Sequence, residues 1–234
     1  MNILDFIFPK YCINCKKLDS YLCPNCFSYL AFDTGGICVV CDRASVGGMT
    51  HPGCIGKYTI DGVFTGIEYK GIAKKLIYNF KYKPYLSDLK NLLVDLLFEA
   101  IIQKEEFIKA NDNESGKLKI LVSIPLHSSR LKSRGYNQAE ILARELSKKL
   151  KIKKTDVLER TKITLSQVGL KREDRIKNIS GAFGVRKEKK ELIEGSLVFL
   201  VDDVLTTGST LLEAANVLKR NGAGKVWGIV LARD

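Results

Sequence analysis

One stretch of thirteen residues, VFLVDDVLTTGST from Val198 to Thr210, constrains the fold more strongly than any other part of the chain. Its apolar start is typical of a strand buried on both faces of a parallel sheet. The predicted strand, SLVFLVDD at 196–203, ends in two adjacent aspartates, Asp202 and Asp203. A loop rich in threonine, glycine and serine then leads into a helical pattern that ends at Gly222. This order of elements predicts an α/β fold with a ligand site at the carboxyl end of the strand.

Strand and helix patterns alternate through the rest of the chain after residue 60. Apolar runs predict strands at 62–69, 119–126 and 225–232, with a short one near 157–158. Helical spacing of apolar residues predicts helices at 71–82, 86–107 and 137–150. The polar segment KANDNESGK is expected to end the second helix, and residues 160–196 give no clear pattern. We therefore expect a parallel sheet with helices on both faces over residues 61–234, preceded by a small separate segment over residues 1–60.

All seven cysteines fall before residue 55, and they form a regular series. Three C-x-x-C pairs, in YCINC, LCPNC and ICVVC, are followed by HPGC, in which a histidine takes the place of one cysteine. Eight soft ligands in four pairs are what two tetrahedral zinc sites need. The predicted ligands are Cys12, Cys15, Cys23, Cys26, Cys38, Cys41, His51 and Cys54.

A structural role is expected for this zinc, because a short segment with few apolar side chains buries too little surface to fold alone. A disulfide framework is the alternative. An odd cysteine count and a chain start, MNILDFIFPK, without a basic signal region argue against it and predict a cytoplasmic protein. The spacing is compatible both with sequential pairing of the four motifs and with a cross-braced arrangement.

The net charge of +12 is unevenly distributed. Residues 1–60 hold five basic and four acidic side chains, so a charge of +11 lies on residues 61–234. An excess of this size favours polyanionic partners, such as phosphorylated metabolites or nucleic acid. No apolar run reaches the roughly 18 uncharged residues of a membrane-spanning helix, so none is predicted.

The loop after the acidic pair is suited to phosphate. The N-terminus of a helix carries backbone N–H groups without intrahelical partners, and Gly208 lets the backbone approach an anion closely. The hydroxyls of Thr206, Thr207, Ser209 and Thr210 add further donors. The two carboxylates can accept hydrogen bonds from vicinal hydroxyls, directly or through Mg²⁺, so the pattern predicts a sugar-phosphate site. In the alternative interpretation, one aspartate caps the helix and the other faces water.

The same thirteen residues resemble the phosphoribosyl pyrophosphate (PRPP) binding signature of class I phosphoribosyltransferases, which have a Rossmann-like α/β fold. The resemblance implies that Asp202 and Asp203 contact the ribose hydroxyls and act as the catalytic residues, with Mg²⁺ accompanying PRPP. It also implies that the loop holds the 5′-phosphate. The implied PRPP-binding residues are Asp202, Asp203, Val204, Leu205, Thr206, Thr207, Gly208, Ser209 and Thr210.

Over nearly its whole length the chain is similar to the late-competence ComF family. The similarity is carried by the paired cysteines, YKGIAKKLIYNFKY, IPLHSSRLKSRGYNQAE, SQVGLKREDRIKNISGAF and the PRPP loop. That family joins a zinc-finger segment to a phosphoribosyltransferase domain and is linked to DNA uptake in natural transformation. The resemblance therefore implies the competence machinery as a partner. His51 is a departure, since many relatives carry a cysteine at this position.

PRPP also carries a pyrophosphate, which needs a second anion site. The turn after the strand at 119–126 corresponds to the pyrophosphate loop of the family, and its arginines offer forked donors suited to phosphate. The implied residues are Pro125, Leu126, His127, Arg130 and Arg134. A solvated basic loop is the alternative.

The charged segment QVGLKREDRIKN, at 167–178, is either a loop that closes over PRPP or a set of ordinary ion pairs.

Lysines and aromatic residues alternate between Tyr69 and Tyr85, a combination that suits single-stranded nucleic acid. The candidate contacts are Lys70, Lys74, Lys81 and Lys83. Aromatic residues at helical spacing that pack in the core are the alternative.

The motifs together lead to two hypotheses for the function. The chain is either a Mg²⁺-dependent phosphoribosyltransferase acting in DNA uptake, or a non-catalytic single-stranded DNA-binding module that retains a PRPP pocket.

Overall fold

The structure is a computed structural model, and it describes residues 9–33, 35–82, 88–112, 116–162 and 172–234. Its centre is a five-stranded parallel sheet. The strands of this sheet are β1 (Gly62–Glu68), β2 (Lys119–Ser123), β3 (Lys153–Lys154), β6 (Leu197–Leu205) and β7 (Lys225–Arg233). Two short strands, β4 (Leu158–Arg160) and β5 (Phe183–Val185), form a separate antiparallel pair. The spatial order of the main sheet is β1-β7-β6-β2-β3, so the strand with the acidic pair lies at its centre.

Helices connect these strands. They are α1 (Pro24–Phe27), α2 (Gly71–Tyr82), α3 (Leu89–Ile102), α4 (Glu105–Asp112), α5 (Ser128–Arg134), α6 (Gln138–Leu150), α7 (Arg172–Ile179) and α8 (Ser209–Arg220). Helix α2 has the predicted bounds. Helix α6 begins after Asn137, whose side-chain oxygen accepts a hydrogen bond from Ala139 N at 3.1 Å. Within the described ranges, every helix is too short or too polar to cross a membrane.

Helices cover both faces of the sheet, which confirms the predicted fold class. Side chains alternate along β6, as in any strand. Phe199 and Val201 pack in the same apolar layer as α2, α3 and α6, whereas Val198 and Leu200 pack in the layer that contains α8. All four side chains are fully buried. The run VFLV is uninterrupted because each of its residues belongs to one of two apolar layers.

The long helical pattern at 86–107 differs from the structure. Helix α3 ends at Ile102, and the separate helix α4 continues to Asp112, into the polar segment that was expected to end the pattern. The break lets the ring of Phe107 pack edge-on against Phe64, with ring centroids 5.3 Å apart. Burial of this ring therefore outweighs the weak helix propensity of the asparagine and aspartate in the last turn.

Strand β6 extends further than its apolar run predicts. It pairs with β7 as far as Leu205, two residues beyond the predicted end of the strand at Asp203, so the acidic pair lies inside the strand rather than at its end. Because successive side chains of a strand point to opposite faces, the two carboxylates approach the edge of the sheet from different sides. The turn after β2 also differs from expectation, since residues 128–134 form helix α5.

The cysteine-rich segment joins the sheet at the edge strand β1. Glu68 N donates to Ala31 O and Asp33 N donates to Gly66 O, both at 2.9 Å. The buried carboxylate of Asp33 accepts two hydrogen bonds from the guanidinium of Arg233, at 2.6 and 2.8 Å. The segment is thus bound to the sheet through both backbone and side chains, and the domain boundary at residue 60 stays a prediction.

Candidate functional site

A cavity of about 420 Å³ opens at the carboxyl end of β6, where this strand leads into α8. The acidic pair and the loop that follows it form one part of its lining, and α2, α5, α7, β4 and Asp234 contribute the rest of its charge. The charged lining residues are Lys81, Arg130, Arg134, Arg160, Arg175, Asp202, Asp203 and Asp234. Five cationic side chains against three carboxylates make this cavity suited to an anionic ligand.

The loop from Thr206 to Thr210 lies entirely in the lining of the cavity. Gly208, immediately before α8, has a φ of 73°, a left-handed conformation that glycine adopts without strain. The first turn of α8 presents here the backbone N–H groups of a helix start and the positive end of the helix dipole. The hydroxyl oxygens of Thr207 and Ser209 are 3.1 Å apart, and Arg175 Nη1 donates to Thr206 Oγ1 at 2.6 Å. Amides, hydroxyls and a guanidinium thus converge on this loop.

The two aspartates have different surroundings. Lys81 Nζ lies 3.1 Å from Asp203 Oδ2, in an ion pair that is largely shielded from solvent. Asp202 accepts a hydrogen bond from Asp203 N at 2.9 Å. Burial and the adjacent charge of Asp203 raise the pKa of Asp202 to about 7. A polyol or a cation that met both carboxylates would relieve this unfavourable concentration of negative charge.

The arginines that line the cavity are crowded in the same way. Burial, and then the charge of Arg130, lowers the pKa of Arg160 to about 10. Burial and the charge of Arg134 also lower the pKa of Arg130. Several guanidinium groups are thus held close together and partly removed from water, an arrangement that an anionic ligand would stabilise.

The predicted pyrophosphate residues divide into two groups. Leu126, Arg130 and Arg134 line the cavity, whereas Pro125 and His127 are outside the lining found among the described residues. His127 instead caps α5, where its Nδ1 accepts a hydrogen bond from Ser129 N at 3.2 Å. The histidine therefore fixes the start of the helix that carries both arginines.

Among the described residues, the lysines predicted to contact nucleic acid have different surroundings and do not form one surface. Lys70 is exposed and paired with Glu68, and Lys74 lies over the ring of Tyr69, 5.2 Å from its centroid. Lys81 lies in the cavity beside Asp203 rather than on an open basic face. Lys83 lies outside the described residues.

Sequence reasoning did not assign Arg160, Gln138 or Arg175 to the cavity. Arg160 lies on the short strand β4, within a stretch whose sequence gives no pattern, so no signal pointed to it. Gln138 is the first residue of α6 and accepts a hydrogen bond from Arg134 Nη1 at 3.1 Å. It directly follows the predicted helix cap Asn137, and this position could have indicated that it lies near the predicted anion site. Arg175 lies in the segment interpreted as either a closing loop or ion pairs, and its contact with Thr206 favours a role at the cavity.

The cysteine pairs form two clusters, and the structure resolves how they are connected. The first contains Cys12, Cys15, Cys23 and Cys26, and the second contains Cys38, Cys41, His51 and Cys54. Within each cluster all ligand atoms lie within 4.8 Å of one another. The pairing is therefore sequential, with two neighbouring motifs in each cluster.

Both clusters fit a tetrahedral thiophilic metal. In the second, His51 Nε2 lies 2.9 Å from Ala44 O and His51 Nδ1 lies 3.3 Å from Cys41 Sγ. Donation from Nε2–H to the carbonyl leaves the Nδ1 lone pair for a metal. Hydrogen bonding from Arg43 lowers the pKa of Cys41 to about 6, whereas burial and the neighbouring thiols raise the pKa of Cys54 to about 11. Thiols this close cannot all ionise unless a cation joins them, and zinc meets that requirement.

Comparisons with known proteins agree with this geometry. Residues 3–55 match the model of a double zinc ribbon domain, and residues 131–234 match that of a phosphoribosyl transferase domain. The double zinc ribbon and the two cysteine clusters support zinc as a structural metal of this chain.

Individual relatives carry related names. Competence protein F of Haemophilus influenzae is 40% identical over 115 residues, which cover 48% of this chain and 50% of that protein. DNA utilization protein YhgH of Escherichia coli is 37% identical over 107 residues, covering 45% of each chain. Competence protein ComFC of Bacillus subtilis is 26% identical over 238 residues, covering 93% of this chain and 86% of that protein. The match spans about half the length of the first two relatives. The chain thus carries a match to a double zinc ribbon followed by a match to a phosphoribosyl transferase domain, and it is similar over most of its length to a competence protein.

Proposed function

We propose that the cavity binds PRPP, with the 5′-phosphate on residues 206–210, the ribose hydroxyls at Asp202 and Asp203, and the pyrophosphate near Arg130 and Arg134. One observation carries this proposal: a single cavity joins the acidic pair, the loop that begins α8 and a group of arginines. The match of residues 131–234 to a phosphoribosyl transferase domain supports the same ligand.

Each part of PRPP would meet a different kind of group. The 5′-phosphate would accept hydrogen bonds from backbone N–H groups and hydroxyls of the loop, with Arg175 close to it through Thr206. The ribose hydroxyls would donate to the carboxylates, which displaces Lys81 from Asp203. The pyrophosphate, which carries the most charge, would lie among the crowded arginines.

Mg²⁺ fits the acidic pair, because both carboxylates line the cavity and Mg²⁺ prefers oxygen ligands. Burial, and then the negative charge of Asp203, raises the pKa of Asp202, and a cation beside both carboxylates would offset that charge. Asp202 and Asp203 would hold the ion together with the ribose hydroxyls. When bound, Mg²⁺ would offset the charge of the pyrophosphate.

In the transferase reaction, an acceptor nucleophile would bond to the anomeric carbon while the bond from that carbon to the pyrophosphate oxygen breaks. The bonding electron pair leaves with pyrophosphate. Arg130 and Arg134 would stabilise the leaving group, and the carboxylates would stabilise the positive charge that develops on the ribose ring. The side chains would thus act through orientation and electrostatics.

Isothermal titration with PRPP and Mg²⁺ tests the ligand. We expect the unaltered protein to bind PRPP and Asp202→Asn to lose at least about tenfold in affinity, since a charged hydrogen-bond acceptor is removed. Asp95→Asn is the matched control, because Asp95 is exposed on α3 and pairs with Lys149 outside the cavity lining. Absence of PRPP binding to the unaltered protein, with or without Mg²⁺, would refute the proposal. Release of pyrophosphate with a candidate acceptor tests the transferase activity.

Single-stranded DNA is the second candidate ligand, and a specific surface favours it. Tyr78 and Tyr82 are more than half exposed on α2, with ring centroids 4.9 Å apart. The guanidinium of Arg134 lies over the Tyr82 ring, 5.6 Å from its centroid. Exposed neighbouring aromatic rings beside a cation suit unpaired bases. We propose that this surface binds DNA during its uptake in natural transformation, a role that the names of the relatives support.

Fluorescence anisotropy with a labelled oligothymidylate tests this surface. Replacing both Tyr78 and Tyr82 by alanine is expected to weaken binding about tenfold or more, since each base stacked on an aromatic ring contributes roughly 1–3 kcal/mol. Tyr29→Ala is the matched control, because Tyr29 is an exposed tyrosine on the cysteine-rich segment, away from α2. Affinity should fall steeply with salt and persist in Asp202→Asn. Equal binding by the double variant and the control would exclude this surface as the DNA site.

A further inference from the structure

The turn between two ligands of the second cysteine cluster, Cys38 and Cys41, touches the loop that we propose to hold phosphate. A Cβ atom on Gly208 would overlap the Cγ2 methyl of Val39, and the next nearest atoms, Val39 O and Cβ, would lie 3.3 and 3.6 Å away. All three of the nearest atoms therefore belong to one residue of the cysteine-rich segment. The close approach requires glycine at position 208 for steric reasons, in addition to the left-handed φ of 73°.

Val39 is the residue that directly follows a ligand of the second cluster. It lies in the turn between Cys38 and Cys41, where Asp42 N donates to Cys38 O at 2.8 Å and Cys38 N donates to Arg43 O at 2.9 Å. Cys38 is fully buried. The position of Val39 is therefore set by the backbone that the metal ligands hold together.

The side chain of Val39 is itself packed in the core of the α/β domain. It is 2% exposed and belongs to the same buried apolar cluster as Val63 of β1 and Leu211 in the first turn of α8. The turn between the metal ligands thus supports the phosphate loop from beneath, at the point where α8 begins.

We propose that the turn between Cys38 and Cys41 positions the phosphate loop, so that metal held by the second cluster and ligand held by residues 206–210 strengthen each other's binding. The inference rests on the proposed binding of PRPP and assigns Val39 as the positioning residue. Coupling of this kind is reciprocal, because a metal that raises the affinity for PRPP must itself be held more tightly when PRPP is bound.

Substitutions that make Val39 smaller and Gly208 larger, alone and together, test the contact. Val39→Ala should weaken PRPP binding about tenfold, within the ordinary range of coupling between sites. Gly208→Ala should weaken it further, because the new methyl group overlaps Val39. In the double variant the overlapping methyl is gone and the remaining atoms lie at 3.3 Å or beyond, so binding should recover relative to Gly208→Ala alone. Val39→Ala is thus harmful in one background and beneficial in the other, a reversal that a general loss of stability does not produce.

Val40→Ala is the matched control, since it makes the same change in the same turn. Val40 is only partly buried, and none of the three atoms nearest a Cβ on Gly208 belongs to it. It should leave PRPP affinity unchanged. Equal affinities for Val39→Ala, Val40→Ala and the unaltered protein would overturn the inference while leaving the proposed function intact. Failure of the unaltered protein to bind PRPP would refute both.

Zinc release provides a readout that requires no variant at position 39. A chelator with a colorimetric indicator should remove zinc from the unaltered protein in two phases, and His51→Ala identifies the phase of the second cluster because it removes one ligand. Saturating PRPP should slow this phase several-fold and leave the phase of the first cluster unchanged. Equal release rates with and without bound PRPP in both phases would overturn the coupling.

Discussion

The two cysteine clusters share their spacing but differ in what their turns touch. In the first, Ile13 occupies the position that Val39 occupies in the second, directly after the first cysteine. Ile13 packs against the apolar layer that contains α2, and its neighbour Asn14 accepts a hydrogen bond from Lys75 of that helix at 2.9 Å. Val39 packs against the loop that lines the cavity. The same cysteine spacing therefore places one turn against the α2 layer and the other against the loop that lines the cavity, and the residue after the first cysteine packs there in each case.

The largest expected effect comes from removing one thiol from each cluster. Cys26→Ser and Cys41→Ser should each reduce zinc affinity by more than about 100-fold, since the loss of outer-shell partners alone costs 10–100-fold. Their effects on PRPP should differ. Cys41→Ser should weaken PRPP binding, whereas molecules of Cys26→Ser that stay folded should bind it normally. Zinc content and calorimetry on the same preparations check this, and equal loss of PRPP affinity in both variants would contradict the distinction between the clusters.

The residues between the two clusters provide a second test, because they attach the cysteine-rich segment to the sheet without binding metal. Asp33 lies between Cys26 and Cys38 and accepts hydrogen bonds from Arg233 and from the hydroxyl of Thr65. Asp33→Asn keeps the shape but leaves the guanidinium without its counter-charge. We expect a loss of about 3 kcal/mol in the free energy of unfolding, at the lower end for a buried pair because Arg233 is a quarter exposed.

Urea denaturation checks the effect of Asp33→Asn, with Asp95→Asn as the exposed control. Zinc content should stay at the level of the unaltered protein, since Asp33 is not a member of either cluster. A loss of zinc would show that the stretch acts through the metal sites rather than through the sheet.

Asp202 connects the ligand site to stability through pH. Its pKa is about 7 in the folded protein and near 3.8 when exposed, so the folded state binds the proton more tightly. The free energy of unfolding therefore falls as pH rises from about 4 to about 7, and the penalty then stays constant at higher pH. Asp202→Asn removes this penalty and should raise stability by about 2–4 kcal/mol at pH 8, since a pKa difference of about three units corresponds to at most about 4 kcal/mol, and by little at pH 4. Thermal unfolding at both pH values checks it, and equal shifts at the two pH values would show that another group is responsible.

The same residues show how far sequence alone reaches. The run from Val198 to Thr210 is local, and it predicts the strand, the helix and the loop in the cavity lining, because burial period and turn chemistry act over neighbouring residues. The cysteine spacing likewise predicts both metal clusters. The assignment of the loop residues to particular PRPP atoms stays a prediction.

Contacts between distant parts of the chain could not be predicted. Nothing in the spacing of Arg160 indicates that β4 brings it to the end of β6, and Lys81 reaches Asp203 only because α2 packs beside the sheet. The contact between Val39 and Gly208 joins residues more than 150 positions apart. Such pairs depend on how layers pack, and the sequence of one element does not contain that information.

A smaller change compares the equivalent turn residues. Ile13→Ala should lower the free energy of unfolding by about 1–2 kcal/mol, less than a fully buried isoleucine, because Ile13 is only partly buried against the α2 layer. Unlike Val39→Ala, it should leave the affinity for PRPP unchanged. Denaturation and calorimetry measure the two quantities separately. A weaker affinity in Ile13→Ala would mean that both turns reach the cavity.

The smallest expected effect comes from making the second cluster like the first. His51→Cys gives four thiols, and it removes the hydrogen bond from His51 Nε2–H to Ala44 O. We expect zinc to be retained and the free energy of unfolding to change by no more than about 1 kcal/mol, the net contribution of one hydrogen bond. PRPP affinity should also stay the same, because the Cys38–Cys41 turn and Val39 are unchanged. Zinc content, denaturation and titration check these outcomes. A large loss of PRPP affinity with zinc still bound would show that the histidine, rather than the turn, transmits the state of the metal to the loop.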